Sequence, residues 1–161
     1  MSAKSLPTAV LDANCVVNAL EAERAGRASE DRALVVFVVD EGVRLATSPR
    51  TRDEYKFAMQ ERGIDSASIR GVDLLRLVID PMRSVVVAAA ERPVVNSCKD
   101  PADNWVLDAA VRGKADVLAT NDRALLDVSD RFRFSILKPD RARGLLTVLC
   151  RLAKQTISSP A

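Results

Sequence analysis

Two aspartates that follow apolar runs are the residues of this chain whose type and position best suit chemistry. Asp12 comes directly after the apolar residues 10–11, and Asp122 comes after the run at 117–120. Both runs have the composition of short buried strands. Because ligands of open α/β sheets bind outside the carboxyl ends of the strands, we expect both carboxylates at one functional edge.

A third aspartate, Asp103, is placed by helix periodicity. Asp100 and Pro101 are typical of an N-cap followed by the first helical residue. On the helix that they open, Asp103 lies in line with the apolar residues, so its side chain is expected to point toward the sheet. Asp108, five residues later, is turned about 140° away and is expected to be solvated.

The composition limits the chemistry that these acids can support. The 161 residues include no histidine, which excludes Ser-His-Asp and Cys-His mechanisms and zinc sites with imidazole ligands. Cys15, Cys98 and Cys150 lack the spacing of a disulfide framework or a structural zinc site. Carboxylate oxygens suit Mg²⁺ or Mn²⁺, whose usual substrates carry phosphate. The 24 Lys and Arg residues permit binding to a phosphate backbone, although the net charge is only +2.

The elements that must position these acids alternate along the chain. Alternation of strands with helices favours the α/β class, with a mainly parallel sheet covered by helices on both faces. The predicted strands are 8–11, 43–47, 84–89, 115–120 and 134–137. The predicted helices are 14–20, 29–41, 49–62, 65–79, 101–112 and 139–152, with a short helix after Asp122 and an irregular loop at 91–99.

The length predicts one domain over residues 1–155, followed by a disordered tail at 156–161. The longest apolar runs are far shorter than the roughly 20 residues that a membrane span needs. The N-terminus also lacks the layout of a signal peptide. We therefore expect a cytoplasmic protein with no membrane partner.

Four segments together resemble a known family. Residues 10–14, 48–54, 100–104 and 115–122 are similar, in order and spacing, to the sequence blocks of PIN domains. The subgroup with the greatest similarity is described as the ribonuclease toxins (VapC-like) of type II toxin–antitoxin systems. The likeness runs from about residue 8 to residue 140 and is most specific between 100 and 126. It implies a Rossmann-like three-layer α/β/α fold, an acidic metal site and ribonuclease activity.

The resemblance carries over to an acidic site of Asp12, Glu54, Asp103 and Asp122. The assignment of Glu54 depends mainly on this likeness, since its neighbour Asp53 is equally acidic. Asp12, Asp103 and Asp122 are the predicted metal ligands, and Glu54 is a ligand or the group that orients water.

The polar neighbours of these acids also match the family. Asn14 and Thr120 are the predicted hydrogen-bonding partners of the ligands. Ala13 departs from the pattern, since threonine is common there. Asn121 stands where a small residue is frequent.

The implied reaction is metal-dependent hydrolysis of RNA. Four carboxylates held together should have raised pKa values in the metal-free protein, and Mg²⁺ or Mn²⁺ would relieve their repulsion. The cation would activate a water for in-line attack, and a second metal would stabilise the leaving oxygen. We expect 5′-phosphate and 3′-hydroxyl products from single-stranded or looped RNA.

Basic residues flank the acidic segments and are candidates for holding the RNA backbone. They are Arg50, Arg52, Lys99 and Arg123. The resemblance further implies a small cognate antitoxin that covers the acidic cleft, and a homodimer. The helices at 29–41 and 65–80 are candidate dimer surfaces, although core packing explains their apolar residues equally well.

Three alternatives stay open at this stage. A phosphohydrolase similar to haloacid dehalogenases would use Asp12 as nucleophile with Lys99 and Asp122, but it usually has an acid where this chain has Asn14. A PIN-like module could bind RNA or protein without cutting, or Asp12 could be phosphorylated as in receiver domains. Within the nuclease class, an RNA-processing enzyme competes with a toxin.

Overall fold

A five-stranded parallel sheet forms the centre of the computed structural model, which describes residues 5–158. The chain has seven strands: β1 Thr8–Leu11, β2 Arg44–Thr47, β3 Ser68–Ile69, β4 Val72–Asp73, β5 Ser84–Val86, β6 Val117–Ala119 and β7 Ser135–Leu137. The central sheet has the order β5-β2-β1-β6-β7, and β3 pairs with β4 in a separate hairpin.

Helices cover both faces of this sheet. They are α1 Ala13–Arg24, α2 Glu30–Glu41, α3 Pro49–Glu61, α4 Leu74–Ile79, α5 Pro101–Arg112, α6 Arg123–Leu126 and α7 Pro139–Ser158. Ala9 and Leu11 of β1 pack into the apolar cluster of α1, α2 and α7. Val10, between them, packs on the other face against α5 and α6. The predicted three-layer α/β/α fold with a parallel sheet is therefore confirmed.

The strand order places a crevice between β1 and β6. The chain leaves β1 for β2 on one side, whereas β6 leads to β7 on the other, so the order reverses between these two neighbours. Leu11 pairs with Ala119, and the N–H of Asp12 donates to the carbonyl of Ala119 at 2.9 Å. The carboxyl ends of β1 and β6 are therefore level, which is where ligands bind in sheets of this kind.

The helix predicted over residues 65–79 is wrong in its first half. The hairpin of β3 and β4 occupies that part, and only α4 is helical. Arg70 and Gly71 have φ values of 50° and 77°, and two successive positive φ angles are typical of a two-residue I′ turn. The side chain of Arg70 bonds to Asp40 at 3.0 Å. Tertiary contact thus supports a turn for which the sequence has no Asn-Gly signal.

The last helix extends further than predicted. α7 runs to Ser158, so residues 156–158 are helical, although the predicted tail began at residue 156. Residues 159–161 of that tail lie outside the described part of the chain. Within residues 5–158, no helix is both long and apolar enough to span a membrane.

Candidate active site

Asp12 lies at the junction of β1 and α1 and is held by three hydrogen bonds. Its backbone is extended, and its Oδ1 caps α1 by accepting the N–H of Ala13 at 2.8 Å. Its Oδ2 accepts from Asn14 Nδ2 at 3.0 Å and from Thr120 Oγ1 at 2.7 Å. The side chain is only 9% exposed. Asn14 and Thr120 therefore lie beside Asp12, in the places that the resemblance implied.

Thr120 connects the two strand-end aspartates. Its hydroxyl is fully buried at the end of β6, where it donates to Asp12 and accepts the N–H of Asp122 at 2.9 Å. One side chain thus fixes the orientation of Asp12 and the path of the chain at Asp122.

Asp103 is the most perturbed acid of the site. It is 8% exposed in the first turn of α5, as its helix face predicted. Burial raises its pKa to about 7, and the charges of Asp122, Asp100 and Asp12 and a hydrogen bond with Asp122 contribute to the increase. Burial also raises the pKa of Asp12, to which Asp122 adds, although the hydrogen bond from Thr120 opposes this shift.

No basic side chain compensates these acids. Within residues 5–158, no Lys or Arg forms an ion pair with Asp12, Asp103 or Asp122. A buried carboxylate without a counter-ion is costly for the fold. The cluster therefore has the electrostatic character of a cation site.

Backbone N–H groups complete the polar lining. Asp12 caps α1, and Asp100 caps α5 by accepting the N–H of Ala102 at 2.9 Å. The sequence predicted the cap at Asp100, but the cap role of Asp12 was missed. The N-terminal ends of α1 and α5 favour negative groups, which include phosphate.

Glu54 is separate from this cluster. It is exposed on α3, and it is absent from the main contributions to the shifts of Asp12 and Asp103. Its helical neighbour one turn earlier, Arg50, lies over the ring of Trp105 on α5 at 5.2 Å. Glu54 therefore shares the face of α3 that turns toward α5.

Asp53 lies on a different side of α3. It lines a shallow groove with Arg52 and Lys56 against α4. Asp53 and Arg52 therefore face α4. Glu54 and Arg50 lie on the side of α3 that faces α5.

The prediction that Asp108 is solvated is wrong. Its side chain has 0% exposure and accepts from Arg112 through both carboxylate oxygens at 2.7 to 3.1 Å. It also accepts the N–H of Val94 at 2.9 Å. The outer side of α5 is covered by the loop at 87–100, so the side turned away from the sheet is not in solvent.

Asn104 fixes the same loop one turn earlier on α5. Its Oδ1 accepts the N–H groups of Ser97 and Cys98 at 3.0 and 2.9 Å, and its amide donates to the carbonyl of Cys98. These bonds order the segment that leads into Lys99 and Asp100.

Sequence reasoning missed a hydrogen-bonded group on the other side of Asp12. Asn121 Nδ2 donates to Asp31 at 2.7 Å and approaches Asn14 Oδ1 at 3.5 Å. Burial and the charge of Asp31 raise the pKa of Cys15, which lies between them. In the sequence, Asn121 stood out only because a small residue is frequent at this position in the family. Nothing in the sequence indicated that Asp31 would be its partner.

Tyr55 of α3 was not among the predicted site residues. Its buried hydroxyl donates to the carbonyl of Leu11, the residue before Asp12. Burial raises the pKa of this hydroxyl, with a further contribution from the charge of Asp12. The bond ties α3, and with it Glu54, to the end of β1.

The remaining basic candidates are on the surface. Lys99 is exposed next to the α5 cap, and Arg123 is exposed with Asp127 at 3.9 Å. An ion pair this exposed contributes little to stability.

The fold and the acidic crevice define a class of protein, and the comparison with family models agrees. The model described as PIN domain matches residues 8–124, well over half of the chain. The chain belongs to the PIN-domain family, whose members are generally metal-dependent nucleases. The matched region contains Asp12, Glu54, Asp103 and Asp122. Neither the curated proteins nor the solved structures include a match to this chain.

The donor set fits a hard divalent cation in its chemistry. Buried oxygen ligands that lack a counter-ion, with a raised pKa at Asp103, are what such a cation would neutralise. Within residues 5–158, no three His, Cys, Asp or Glu side chains are gathered closely enough to hold a metal as they stand. The carboxyl groups of Asp103 and Asp122, which interact in the metal-free protein, would have to rearrange when the ion binds.

Proposed function

We propose that this protein is a Mg²⁺- or Mn²⁺-dependent endoribonuclease that hydrolyses RNA phosphodiester bonds. The observation that carries the proposal is a pair of buried aspartates, Asp12 and Asp103, at the reversal point of the sheet, with no ion pair to a Lys or Arg among residues 5–158. An uncharged ligand would leave these carboxylates uncompensated. A divalent cation held by these aspartates would neutralise their charge and that of a bound phosphate.

Asp12, Asp103 and Asp122 would hold the metal, directly or through water. When bound, the metal would act as a Lewis acid that polarises the phosphodiester and lowers the pKa of the attacking water. Thr120 and Asn14 keep Asp12 in a fixed orientation through their hydrogen bonds. Glu54 would act as a further ligand or orient the attacking water.

The RNA backbone would lie across the N-terminal ends of α1 and α5. Lys99 and Arg123 are exposed at the starts of α5 and α6, and Arg50 is held beside α5 by the ring of Trp105. Single-stranded or looped RNA suits this crevice, because its backbone bends freely into a compact site. Arg52 faces α4 and would contact RNA only outside the crevice.

In the cell, we propose the role of the toxin in a toxin–antitoxin pair. The support is the resemblance of the blocks around Asp12 and Asp103 to that subgroup. A small antitoxin would cover the acidic cleft, and the toxin would form a homodimer. Induced expression should arrest growth only when Asp103 is intact, and co-expression of a neighbouring small reading frame should reverse the arrest. Growth without arrest despite active enzyme would favour an RNA-processing role.

The enzymatic proposal is tested on purified protein with a mixed RNA pool and Mn²⁺. Cleavage should need the metal, leave 5′-phosphate ends and disappear in Asp12→Asn and Asp103→Asn. Asp65→Asn is the matched control, because Asp65 is an exposed acid outside the crevice. Undiminished cleavage by both site variants would contradict the assignment. RNA binding without cleavage by the wild type would favour the non-catalytic module.

A further inference from the structure

A second concave surface lies at the opposite edge of the sheet from the aspartates. It is a groove of about 590 Å³ between the end of α5 and the segment that leads into β7. Ala115 in its lining lies two residues before β6, and Phe134 lies directly before β7, so the groove is beside the amino ends of these strands. Its lining residues are Ala110, Val111, Lys114, Ala115, Arg131, Phe132, Arg133 and Phe134.

The charge of this groove is wholly positive. Lys114, Arg131 and Arg133 are exposed, and none of them forms an ion pair with a described residue. No acid belongs to the lining, and the nearest acids along the chain, Asp116 and Asp130, lie outside it. Three uncompensated cations in one concavity attract a polyanion.

Aromatic rings alternate with these cations along the chain. Residues 131–134 read Arg-Phe-Arg-Phe, and all four line the groove. The rings of Phe132 and Phe134 are stacked, with centroids 5.0 Å apart and planes at 22°. Phe134 is buried, whereas Phe132 is only half-buried and borders the groove. Cations beside an accessible ring are the elements with which proteins bind single-stranded nucleic acid.

We infer that this groove binds single-stranded RNA at a distance from the cleavage site. Phosphates would contact Arg131, Arg133 and Lys114, and a base would stack at Phe132. The inference rests on the proposed ribonuclease function, which makes a polyanion the natural occupant. Five residues of extended chain separate Ala115 from Thr120, or about 17 Å, so only RNA long enough to reach both edges gains from the second contact.

The direct test measures binding without cleavage. Fluorescence anisotropy of fluorescein-labelled oligouridine in EDTA compares the wild type with Arg131→Ser/Arg133→Ser. Arg27→Ser/Arg151→Ser is the matched control, since these exposed arginines also form no ion pair with a described residue and lie outside the groove. We expect roughly tenfold weaker binding for the groove pair, and a salt-dependence slope lower by about 1.4. Equal losses in the two pairs would overturn the inference.

Phe132→Leu tests the stacking contact while keeping an apolar side chain. We expect binding to weaken about fivefold, without the change in salt dependence that loss of a cation causes. Unchanged binding by this variant would overturn the stacking role. Thermal melting of every variant separates lost binding from lost folding.

Cleavage assays separate this inference from the proposed activity. The groove pair should cleave a uridine trinucleotide as the wild type does, but have a higher KM on long RNA. Normal cleavage of both lengths would overturn the groove site and leave the nuclease intact. RNA binding that depends on the groove, without any cleavage, would contradict the proposed nuclease activity and support the groove site. Binding of an acidic peptide in place of RNA would assign the groove to a protein partner and overturn the inference.

Discussion

Asp103 and Asp108 lie five residues apart on the same helix, and both are buried, yet their surroundings are opposite. Arg112 binds both oxygens of Asp108, and the N–H of Val94 adds a third contact. Asp103 faces Asp122, Asp100 and Asp12 and forms no ion pair with any described Lys or Arg. A buried acid with its own arginine is fully accounted for by the fold. A buried acid among other acids needs something that the chain does not supply.

The largest expected effect is on catalysis. Asp103→Asn keeps the shape but removes a charge, so RNA cleavage should fall about 1000-fold, equivalent to roughly 4 kcal/mol of transition-state stabilisation. Asp108→Asn should retain most of its activity per folded molecule. Rates measured with Mn²⁺ at saturating RNA check both variants. Similar losses in the two would mean that burial, and not the missing counter-ion, marks the functional acid.

The next effect is on the free energy of unfolding. Here Asp108→Asn should have the larger effect and Asp103→Asn the smaller one. Asp108→Asn leaves Arg112 without its carboxylate, so the free energy of unfolding should fall by about 3 kcal/mol. Asp103→Asn should be as stable as the wild type, or more stable, when metal is absent. Urea denaturation in EDTA measures this difference. A wild-type midpoint for Asp108→Asn would show that its ion pair contributes nothing.

The pH dependence of stability should carry the signature of Asp103. Its pKa rises from 3.8 to about 7 on folding, so the folded state keeps a proton that the unfolded state releases. The free energy of unfolding of the metal-free protein should therefore fall between about pH 4 and pH 7, by roughly 4 kcal/mol, and then level off. In Asp103→Asn, the free energy of unfolding should change much less across this pH range. Stability that rises across this range in the wild type would contradict the burial of an uncompensated Asp103.

A smaller effect separates the two adjacent acids of α3. Glu54→Gln should lower cleavage about tenfold, because an exposed side chain at the edge of the site orients water or RNA and is not a buried ligand. Asp53→Asn, on the side of α3 that faces α4, should cleave at the wild-type rate. Equal cleavage rates for the wild type, Glu54→Gln and Asp53→Asn would show that Glu54 has no role in the site.

Much of this site could be predicted because its acids occupy positions with local signals. Asp12 and Asp122 follow apolar strand segments, and Asp103 lies in line with the apolar side of a helix whose cap and proline are explicit. The parallel sheet followed from the alternation of strands and helices. Each of these predictions depends on local sequence patterns, and the tertiary contacts of the fold agree with those patterns.

The parts that could not be predicted depend on contacts between distant segments. Asp108 was expected in solvent because periodicity gives the direction of a side chain but not what covers that side. The hairpin at 68–73 replaces part of a predicted helix, and its turn contacts Asp40 of α2 through Arg70. Asp31 joins the site through Asn121, which is 90 residues away in sequence. Nothing local in the sequence reports such partners.

Direct measurement of Mn²⁺ binding tests the central claim most sharply, which is that the uncompensated aspartates bind a divalent cation. Electron paramagnetic resonance of free Mn²⁺ can be followed during titration of the wild type, Asp103→Asn and Asp108→Asn. We predict binding by the wild type and by folded Asp108→Asn, and weak or no binding by Asp103→Asn. Equal Mn²⁺ affinity in the wild type and Asp103→Asn would contradict the account.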